Sequence, residues 1–233
     1  MKERIENLVG LLNNASEAYY NGNAIMTNKD YDNMFDELVT LENETGIILS
    51  DSPTQRVGSD PIDTGLKKVK HEYPALSLDK TKDITKFRKV FNVRDKQAVV
   101  MWKLDGSTIQ LTYNNGNLVL AATRGNGEIG SDITHNAPYI EGIPMTIPFK
   151  GKLVVRGEAL MSYDEFNRIN SLRADDDLYA NARNLANATV STLPNNDDIK
   201  HRKINFFAFK LVACEPHILP SRSFETDLLF LEN

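Results

Sequence analysis

The first 45 residues carry apolar side chains at helical spacing. Two sets recur every three or four residues: Leu8, Leu11, Leu12, Ala15 and Tyr19, then Tyr31, Met34, Phe35, Leu38 and Leu41. Thr27, with Asp30 three residues later, is typical of a capping box at the start of the second helix. The pattern predicts two amphipathic helices joined by residues 21–25.

From residue 97 the pattern changes to alternation, which is typical of strands. Predicted strands cover residues 98–102, 108–113, 118–123, 153–156 and 204–211. Asn115-Gly116 between the second and third of these predicts a hairpin. Helical spacing returns at residues 163–172 and 224–233, and residues 46–82 read as a connecting segment. The chain is therefore predicted to have an α+β fold with a small helical part followed by a sheet.

Composition and charge narrow the class of protein. The 233 residues are 41% hydrophobic and 25% charged, and no apolar run approaches the length of a membrane helix, so we expect a cytoplasmic protein without membrane association. One cysteine and four histidines without metal-ligand spacing argue against a disulfide scaffold or a zinc site. The net charge of −5 requires any contact with nucleic acid to use a local patch or a partner.

Lys103-Leu104-Asp105-Gly106 is the first candidate for chemistry. The predicted strand before it would place the amine in a cleft, where the apolar residues 99–102 would bury it and make it a nucleophile. The alternative is a surface lysine in a turn.

Residues 123–130 formally fit the dinucleotide-binding pattern G-x-G-x-x-G through Gly125, Gly127 and Gly130. The preceding strand belongs to a predicted antiparallel hairpin, which argues against a Rossmann dehydrogenase. A flexible turn is one alternative. The other is a turn in which the glycines let the backbone approach a ligand while Arg124 faces a phosphate or ribose.

Several single residues have both a functional and an ordinary interpretation. Glu158 lies at a predicted strand end and Arg183 in a polar turn or helix start, and each also reads as a surface residue. Three consecutive aspartates at 175–177 are expected to form a solvated loop, and no residue is assigned as a metal ligand. The tyrosines beside the inter-helix turn either stack on a flat polar group or belong to the helical core.

In order and approximate spacing, these stretches resemble the amino-terminal part of bacterial and phage NAD-dependent DNA ligases, over about residues 11–211. The stretches that carry the resemblance are Tyr19-Tyr20, Asp30-Tyr31-Asp32, Ser52-Pro53-Thr54-Gln55-Arg56-Val57-Gly58, His71-Glu72, Leu76-Ser77-Leu78-Asp79, Lys103-Leu104-Asp105-Gly106, Ala121-Ala122-Thr123-Arg124-Gly125 with Gly127, Val155-Arg156-Gly157-Glu158 and Arg183-Asn184. The resemblance implies a helical subdomain that binds nicotinamide mononucleotide (residues 1–70 with its linker). It also implies an ATP-grasp-like nucleotidyltransferase domain of antiparallel sheets with flanking helices (residues 71–233).

The resemblance also implies roles. Lys103 attacks the α-phosphate of NAD+, giving lysyl-AMP and nicotinamide mononucleotide, and Mg²⁺ offsets the phosphate charge. The remaining implied residues are Ser77 and Leu78 near the adenine; Asp105, Arg124 and Glu158 around the ribose and phosphate; Tyr20, Tyr31 and Asp32 at the nicotinamide nucleotide; and Arg183 at nicked DNA.

Four positions differ from the residues that are usual in this family. Met101 replaces a usual glutamate, Asn28 an aspartate, Phe209 an aromatic residue with a hydroxyl, and Ser191 an arginine that contacts DNA.

The sequence also stops before the family's later strands, so the fold is expected to be incomplete at the carboxyl end, with an exposed sheet edge and apolar patch near residues 205–231. We expect either a fragment or a natural split ligase for DNA replication or repair whose second polypeptide supplies the missing strands. The alternative function is a NAD-binding or scaffold subunit without chemistry of its own.

Overall fold

The computed structural model describes residues 1–20, 25–55, 65–76, 83–85, 99–174, 178–216 and 223–232. The helical pair consists of α1 (Lys2–Tyr20) and α2 (Asn28–Thr45). Ile5, Leu8, Val9 and Leu12 of α1 pack with Leu38 of α2 in a separate apolar cluster. The two predicted helices are therefore confirmed.

The ends of α2 follow directly from the sequence. The Thr27 hydroxyl accepts a hydrogen bond from the Asp30 N–H, and Gly46 ends the helix at a φ of +68°. The expectation for Leu11 was wrong, because its side chain is 41% exposed while Val9 is buried in its place. The buried face of α1 therefore includes Leu8, Val9 and Leu12, and Leu11 lies outside it.

Residues after α2 fold back onto it. Pro53–Gln55 form one turn of 3₁₀ helix, and the buried carboxylate of Glu42 accepts hydrogen bonds from the hydroxyls of Ser52 and Thr54, each at 2.5 Å. A buried carboxylate is tolerated only when it is hydrogen-bonded, and here two hydroxyls hold the connecting segment against α2.

In the described part of the chain, the main sheet has four antiparallel strands: β2 (Ser107–Asn114), β3 (Asn117–Thr123), β5 (Lys152–Leu160) and β6 (Asn205–Glu215). Their order across the sheet is β3-β2-β5-β6. Asn115 and Gly116 join β2 to β3 with φ values of +49° and +83°, the signature of a type I′ turn. The predicted hairpin is confirmed. β5 and β6 extend beyond the predicted strands, so Glu158 lies within β5 and not at its end.

A second, two-stranded antiparallel sheet pairs β1 (Lys68–Lys70) with β4 (Ile129–Ser131). The glycine-containing loop therefore lies between antiparallel strands, and the Rossmann alternative is wrong for this segment.

Within the described ranges, three helices flank the sheet: α3 (Tyr163–Asn170), α4 (Ala182–Val190) and α5 (Phe224–Glu232). Leu185, Ala186 and Val190 of α4 pack on Ile109 and Leu111 of β2 in the main apolar core. This core occupies one face of the sheet, so α4 is held firmly beside the start of β2. The helical part followed by antiparallel sheets with flanking helices confirms the predicted fold class.

The strand predicted at residues 98–102 is wrong for the described residues 99–102, which are neither strand nor helix. Val100 is 95% and Trp102 91% exposed. An apolar alternation forms a strand only where a neighbouring strand pairs with it, and among the described residues none does so here.

Candidate nucleotide site

The Lys103-to-Gly106 motif runs directly into β2. Gly106 is buried, and a Cβ added there would lie 2.1 Å from the carbonyl oxygen of Ala159 on β5. Only glycine allows this close approach of backbones, which explains the last residue of the motif. This contact fixes the point at which the chain enters β2, and with it the position of the backbone just before the strand, where Lys103 lies.

Glu158 of β5 anchors the motif. Its side chain is 9% exposed, one carboxylate oxygen accepts the Gly106 N–H at 3.0 Å, and the other accepts the Thr108 hydroxyl at 2.8 Å. Burial raises the pKa of this carboxyl, while the two hydrogen bonds and the positive charges of Arg183 and Lys103 act in the opposite direction. Lys103 is therefore near enough to Glu158 for its positive charge to favour the ionised carboxylate.

The environment expected for Lys103 is wrong in one respect. Residues 99–103 are exposed, so the apolar side chains before the lysine do not bury it. Instead the interaction of its charge with the Glu158 carboxyl distinguishes it from an isolated surface lysine.

Arg183 joins the site from the first turn of α4. Asn181 caps this helix by accepting the Asn184 N–H at 2.8 Å, which confirms a helix start at this polar segment. The guanidinium of Arg183 pairs with the Asp105 carboxylate at 3.0 Å and lies 5.9 Å from the ring centre of Tyr19 at the end of α1. Arg183 thus connects the helical pair to the motif.

Arg124 follows β3 at the same end of the sheet. Its N–H donates to the Thr108 carbonyl at 3.0 Å, so the β2–β3 ladder continues to this residue. Gly125 has a φ of +56°, and a Cβ there would lie 1.8 Å from the Ile129 carbonyl oxygen. The glycine is required by the turn itself, whichever ligand the turn meets.

The predicted residues of the helical pair are only partly visible. Tyr31 is half-buried, stacks on Phe35 with ring centres 6.3 Å apart and packs against the helical core. Asp32 is half-buried beside it, and Tyr20 ends α1, where its side chain falls outside the described part. Ser77 and Leu78 also lie outside the described residues.

Four predicted site residues lie together among the described residues: Lys103, Asp105, Glu158 and Arg183. The fifth, Arg124, joins them through its backbone, which is bonded to Thr108. Two residues were not predicted from the sequence. Thr108 donates a hydrogen bond to Glu158. Asn187 of α4 accepts a hydrogen bond from the Ser107 hydroxyl of β2 through its side-chain oxygen. The alternation of polar Thr108, Gln110 and Thr112 along one strand was the available signal for Thr108.

No group of three or more metal-ligating side chains occurs among the described residues. In the same part of the chain, no helix combines the length and apolar character needed to cross a membrane. In the part of the site that the structure describes, the acidic groups are the carboxylates of Asp105 and Glu158.

Comparison with known proteins assigns both parts of the chain. Residues 1–58 match the DNA ligase-like, N-terminal NAD+-binding domain, and residues 63–233 match the NAD-dependent DNA ligase adenylation domain. Proteins named DNA ligase are similar over most of the chain. The one from Lachnoclostridium phytofermentans is 46% identical over 216 residues, covering 92% of this chain and 32% of that protein. The one from Clostridioides difficile is 34% identical over 233 residues, covering 96% and 34%.

The chain therefore spans about a third of the length of these relatives. The matched domains cover both the helical pair and the sheet that holds the Lys103 motif. By its sequence, this chain belongs to the NAD-dependent DNA ligase family.

Proposed function

We propose that this chain performs the adenylation half-reaction of an NAD-dependent DNA ligase, with Lys103 as the nucleophile. The observation that carries the proposal is the fixed geometry of the motif. Gly106 is locked against β5 and bonded to Glu158, while Arg183 holds Asp105, so the lysine emerges among groups suited to a ribose and a phosphate.

In the proposed step the lone pair of the Lys103 Nζ attacks the α-phosphorus of NAD+. A phosphorus–nitrogen bond forms and the pyrophosphate phosphorus–oxygen bond breaks. Nicotinamide mononucleotide leaves with that electron pair, and the amine proton passes to solvent. Because little covalent chemistry falls to the protein, positioning and charge stabilisation carry the rate.

The remaining groups bind and orient the nucleotide. Arg124 offers its fork of donors to phosphate or ribose oxygens, and Glu158 and Asp105 accept from ribose hydroxyls. Tyr20, Tyr31 and Asp32 hold the nicotinamide nucleotide, and Ser77 and Leu78 contact the adenine. The cation–π contact of Arg183 with Tyr19 supports these assignments, since Arg183 also pairs with Asp105 of the Lys103 motif and so relates the end of α1 to it.

Mg²⁺ fits this arrangement without a cage of protein ligands. The ion usually keeps several waters and binds one or two carboxylates together with substrate phosphates, so the exposed carboxylate of Asp105 and the phosphates of NAD+ would hold it. Bound there, it would neutralise charge on the transferring phosphate.

Nicked double-stranded DNA is the proposed acceptor of the adenylyl group, with Arg183 as the phosphate contact from this chain. A 5′-phosphate oxygen displaces Lys103 from the adenylate, and the 3′-hydroxyl then displaces AMP as the nick is sealed. The Arg183 guanidinium pairs with Asp105 through Nη1, and its fork of five donors would let it also donate to a DNA phosphate.

A second ligase polypeptide is the proposed partner for sealing. β6 is one of the two edge strands of the four-stranded sheet among the described residues, and the exposed side chains of Phe207 on β6 and Leu229 on α5 lie at this edge. An edge strand next to exposed apolar groups is typical of a surface that another chain covers. Sheet strands from an adjoining part of a ligase have the matching chemistry.

We place the chain in the cytoplasm, where NAD+ and DNA meet. The division into residues 1–70 and 71–233 stays a prediction; Leu66 packs with the apolar core of the sheet.

The alternative is a NAD-binding or scaffold subunit in which Lys103 is inert. Incubation of the purified chain with NAD+ and Mg²⁺, followed by intact mass measurement, separates the two. We expect a gain of one AMP in the wild type, none in Lys103→Arg, and an unchanged gain in the control Lys70→Arg on β1. NAD+ binding without any mass gain would favour the alternative.

A further inference from the structure

A buried row of polar side chains crosses the face of the sheet opposite the main core. Arg156 of β5 lies directly opposite Gln110 of β2, and both are nearly inaccessible to solvent, with Arg156 7% exposed. His71, also buried, completes the row from the segment that covers this face. Polar groups buried at such depth need partners, so their connections are informative.

The three side chains form one directed chain of hydrogen bonds. Arg156 donates through Nη2 to the Gln110 side-chain oxygen at 2.7 Å, and the Gln110 amide lies 3.3 Å from His71 Nδ1. His71 Nε2 lies 3.1 Å from the Thr123 carbonyl and 3.2 Å from the Arg124 carbonyl. An amide can only donate to Nδ1 and a carbonyl can only accept from Nε2, so the arrangement selects the neutral Nε2–H form of His71.

The row ends at the turn that carries Arg124. Besides the His71 ring, the His71 N–H donates to the Glu128 carbonyl and the Ala75 N–H to the Gly127 carbonyl, both at 2.7 Å. Gly130 leaves room for the ring, because a Cβ there would lie 2.9 Å from His71 Nε2. The turn is therefore bound to residues 71–75 by three groups: the His71 ring, the His71 N–H and the Ala75 N–H.

The other end of the row is the buried, positively charged guanidinium of Arg156. Within the described residues no carboxylate pairs with Arg156, and its Nη2 instead also donates to the Pro74 carbonyl at 3.2 Å. A buried guanidinium without a counter-ion is costly unless its hydrogen bonds replace water. Gln110 is the link that joins this cation to His71 and the turn.

We propose that His71, Gln110 and Arg156 are positioning residues that hold the Arg124 turn in the orientation that binds the adenylate. This inference rests on the proposed function for the role of Arg124. None of the three touches the nucleotide in this account; they act through the carbonyls of Thr123 and Arg124.

The test compares three variants in single-turnover adenylation at a series of NAD+ concentrations. Gln110→Leu removes both links, Gln110→Glu keeps the link to Arg156, and Thr112→Val is the control on the same face of β2. For Gln110→Leu we expect the half-saturating NAD+ concentration to rise about tenfold with a smaller change in the saturating rate, since one charge-assisted bond chain is lost. The control should match the wild type.

Gln110→Glu has a signature that a merely structural role would not produce. A carboxylate at residue 110 cannot donate to Nδ1, so it favours the doubly protonated His71, which still donates from Nε2 to the turn. Adenylation by this variant should approach the wild type on the acid side of neutrality and fall as pH rises. His71 faces Arg156 here, with Arg124 the next charge, so its ring nitrogens observed by NMR should report the change of protonation directly.

A wild-type half-saturating concentration in a folded Gln110→Leu would overturn the inference while leaving the proposed function intact. If Gln110→Leu does not fold, a pH profile of Gln110→Glu identical to the wild type would overturn it. If the wild type takes up no AMP, the proposed function fails, and the same comparison by calorimetric titration with NAD+ decides the inference. Absence of NAD+ binding by the wild type would overturn both.

Discussion

Replacement of Thr108 by valine removes one hydrogen bond from a buried carboxylate and changes little else. The Thr108 hydroxyl donates to Glu158 at 2.8 Å, and threonine and valine have nearly the same shape. A hydrogen bond to a charged group contributes about 1.5–3 kcal/mol to stability. Because Glu158 is 9% exposed, water cannot easily replace the lost donor, so we expect a loss within this range at pH 8.

The loss should depend on pH in a defined direction. Burial raises the pKa of Glu158 in the folded protein above its ordinary value of 4.5, and Thr108 opposes that rise. Without Thr108 the folded-state pKa rises further, so the folded variant binds a proton more readily than the unfolded chain does. Stability then falls as pH rises through the folded-state pKa. The difference from the wild type shrinks as pH falls through the raised folded-state pKa values, because a protonated Glu158 no longer needs a charge-assisted bond from Thr108.

Urea unfolding measures both effects. A loss of about 2 kcal/mol lowers the midpoint by roughly 1 M for a typical dependence on urea. Thr112→Val is the control, since the Thr112 hydroxyl makes no hydrogen bond within the described residues. Equal midpoints for the two variants at pH 8 would refute the assigned role of Thr108.

Three further predictions address the backbone, the pH response and the helical pair. Gly125→Ala should lower the free energy of unfolding by more than about 2 kcal/mol, because it combines a positive φ with a clash against the Ile129 carbonyl. Gly10 lies at an exposed site in α1 with open space around it. Gly10→Ala should therefore raise the free energy of unfolding by about 0.5–1 kcal/mol in the same urea assay. Burial lowers the pKa of His71 below 6.5, so the unfolded chain binds more protons there and stability should fall as pH drops below 6.5; the wild type should lose more stability than His71→Gln between pH 7.5 and 5.5, and equal losses would contradict the buried neutral state. Thr27→Ala should lower stability by about 1 kcal/mol through loss of the helix cap, seen as a lower thermal midpoint, whereas Thr27→Ser should nearly match the wild type.

Local signals in the sequence were sufficient where the chain makes its own contacts. The cap at Thr27, the turn at Asn115-Gly116 and the helix start at Asn181 follow from side chains that bond to nearby backbone or tolerate a positive φ. The strand predicted before Lys103 failed because strand formation depends on a partner elsewhere in the chain. The alternating pattern of residues 99–102 carries no information about that partner.

The site shows the same limit. Asp105 and Arg183 were visible as residue types, and the family resemblance supplied their order, but their ion pair depends on the packing of α4 against the sheet. The row from His71 to Arg156 was hidden for a related reason. Gln110 and Arg156 read as residues of a solvated sheet face until residues 71–76 are seen to cover them.

The most direct measurement of the central claim locates the adenylyl group within the chain. The protein is incubated with NAD+ and Mg²⁺, digested, and its peptides are sequenced by tandem mass spectrometry under conditions that preserve the phosphorus–nitrogen bond. Our account predicts AMP on the Nζ of Lys103 and nicotinamide mononucleotide released in equal amount. AMP on another residue, or none on any peptide while NAD+ binds, would contradict it.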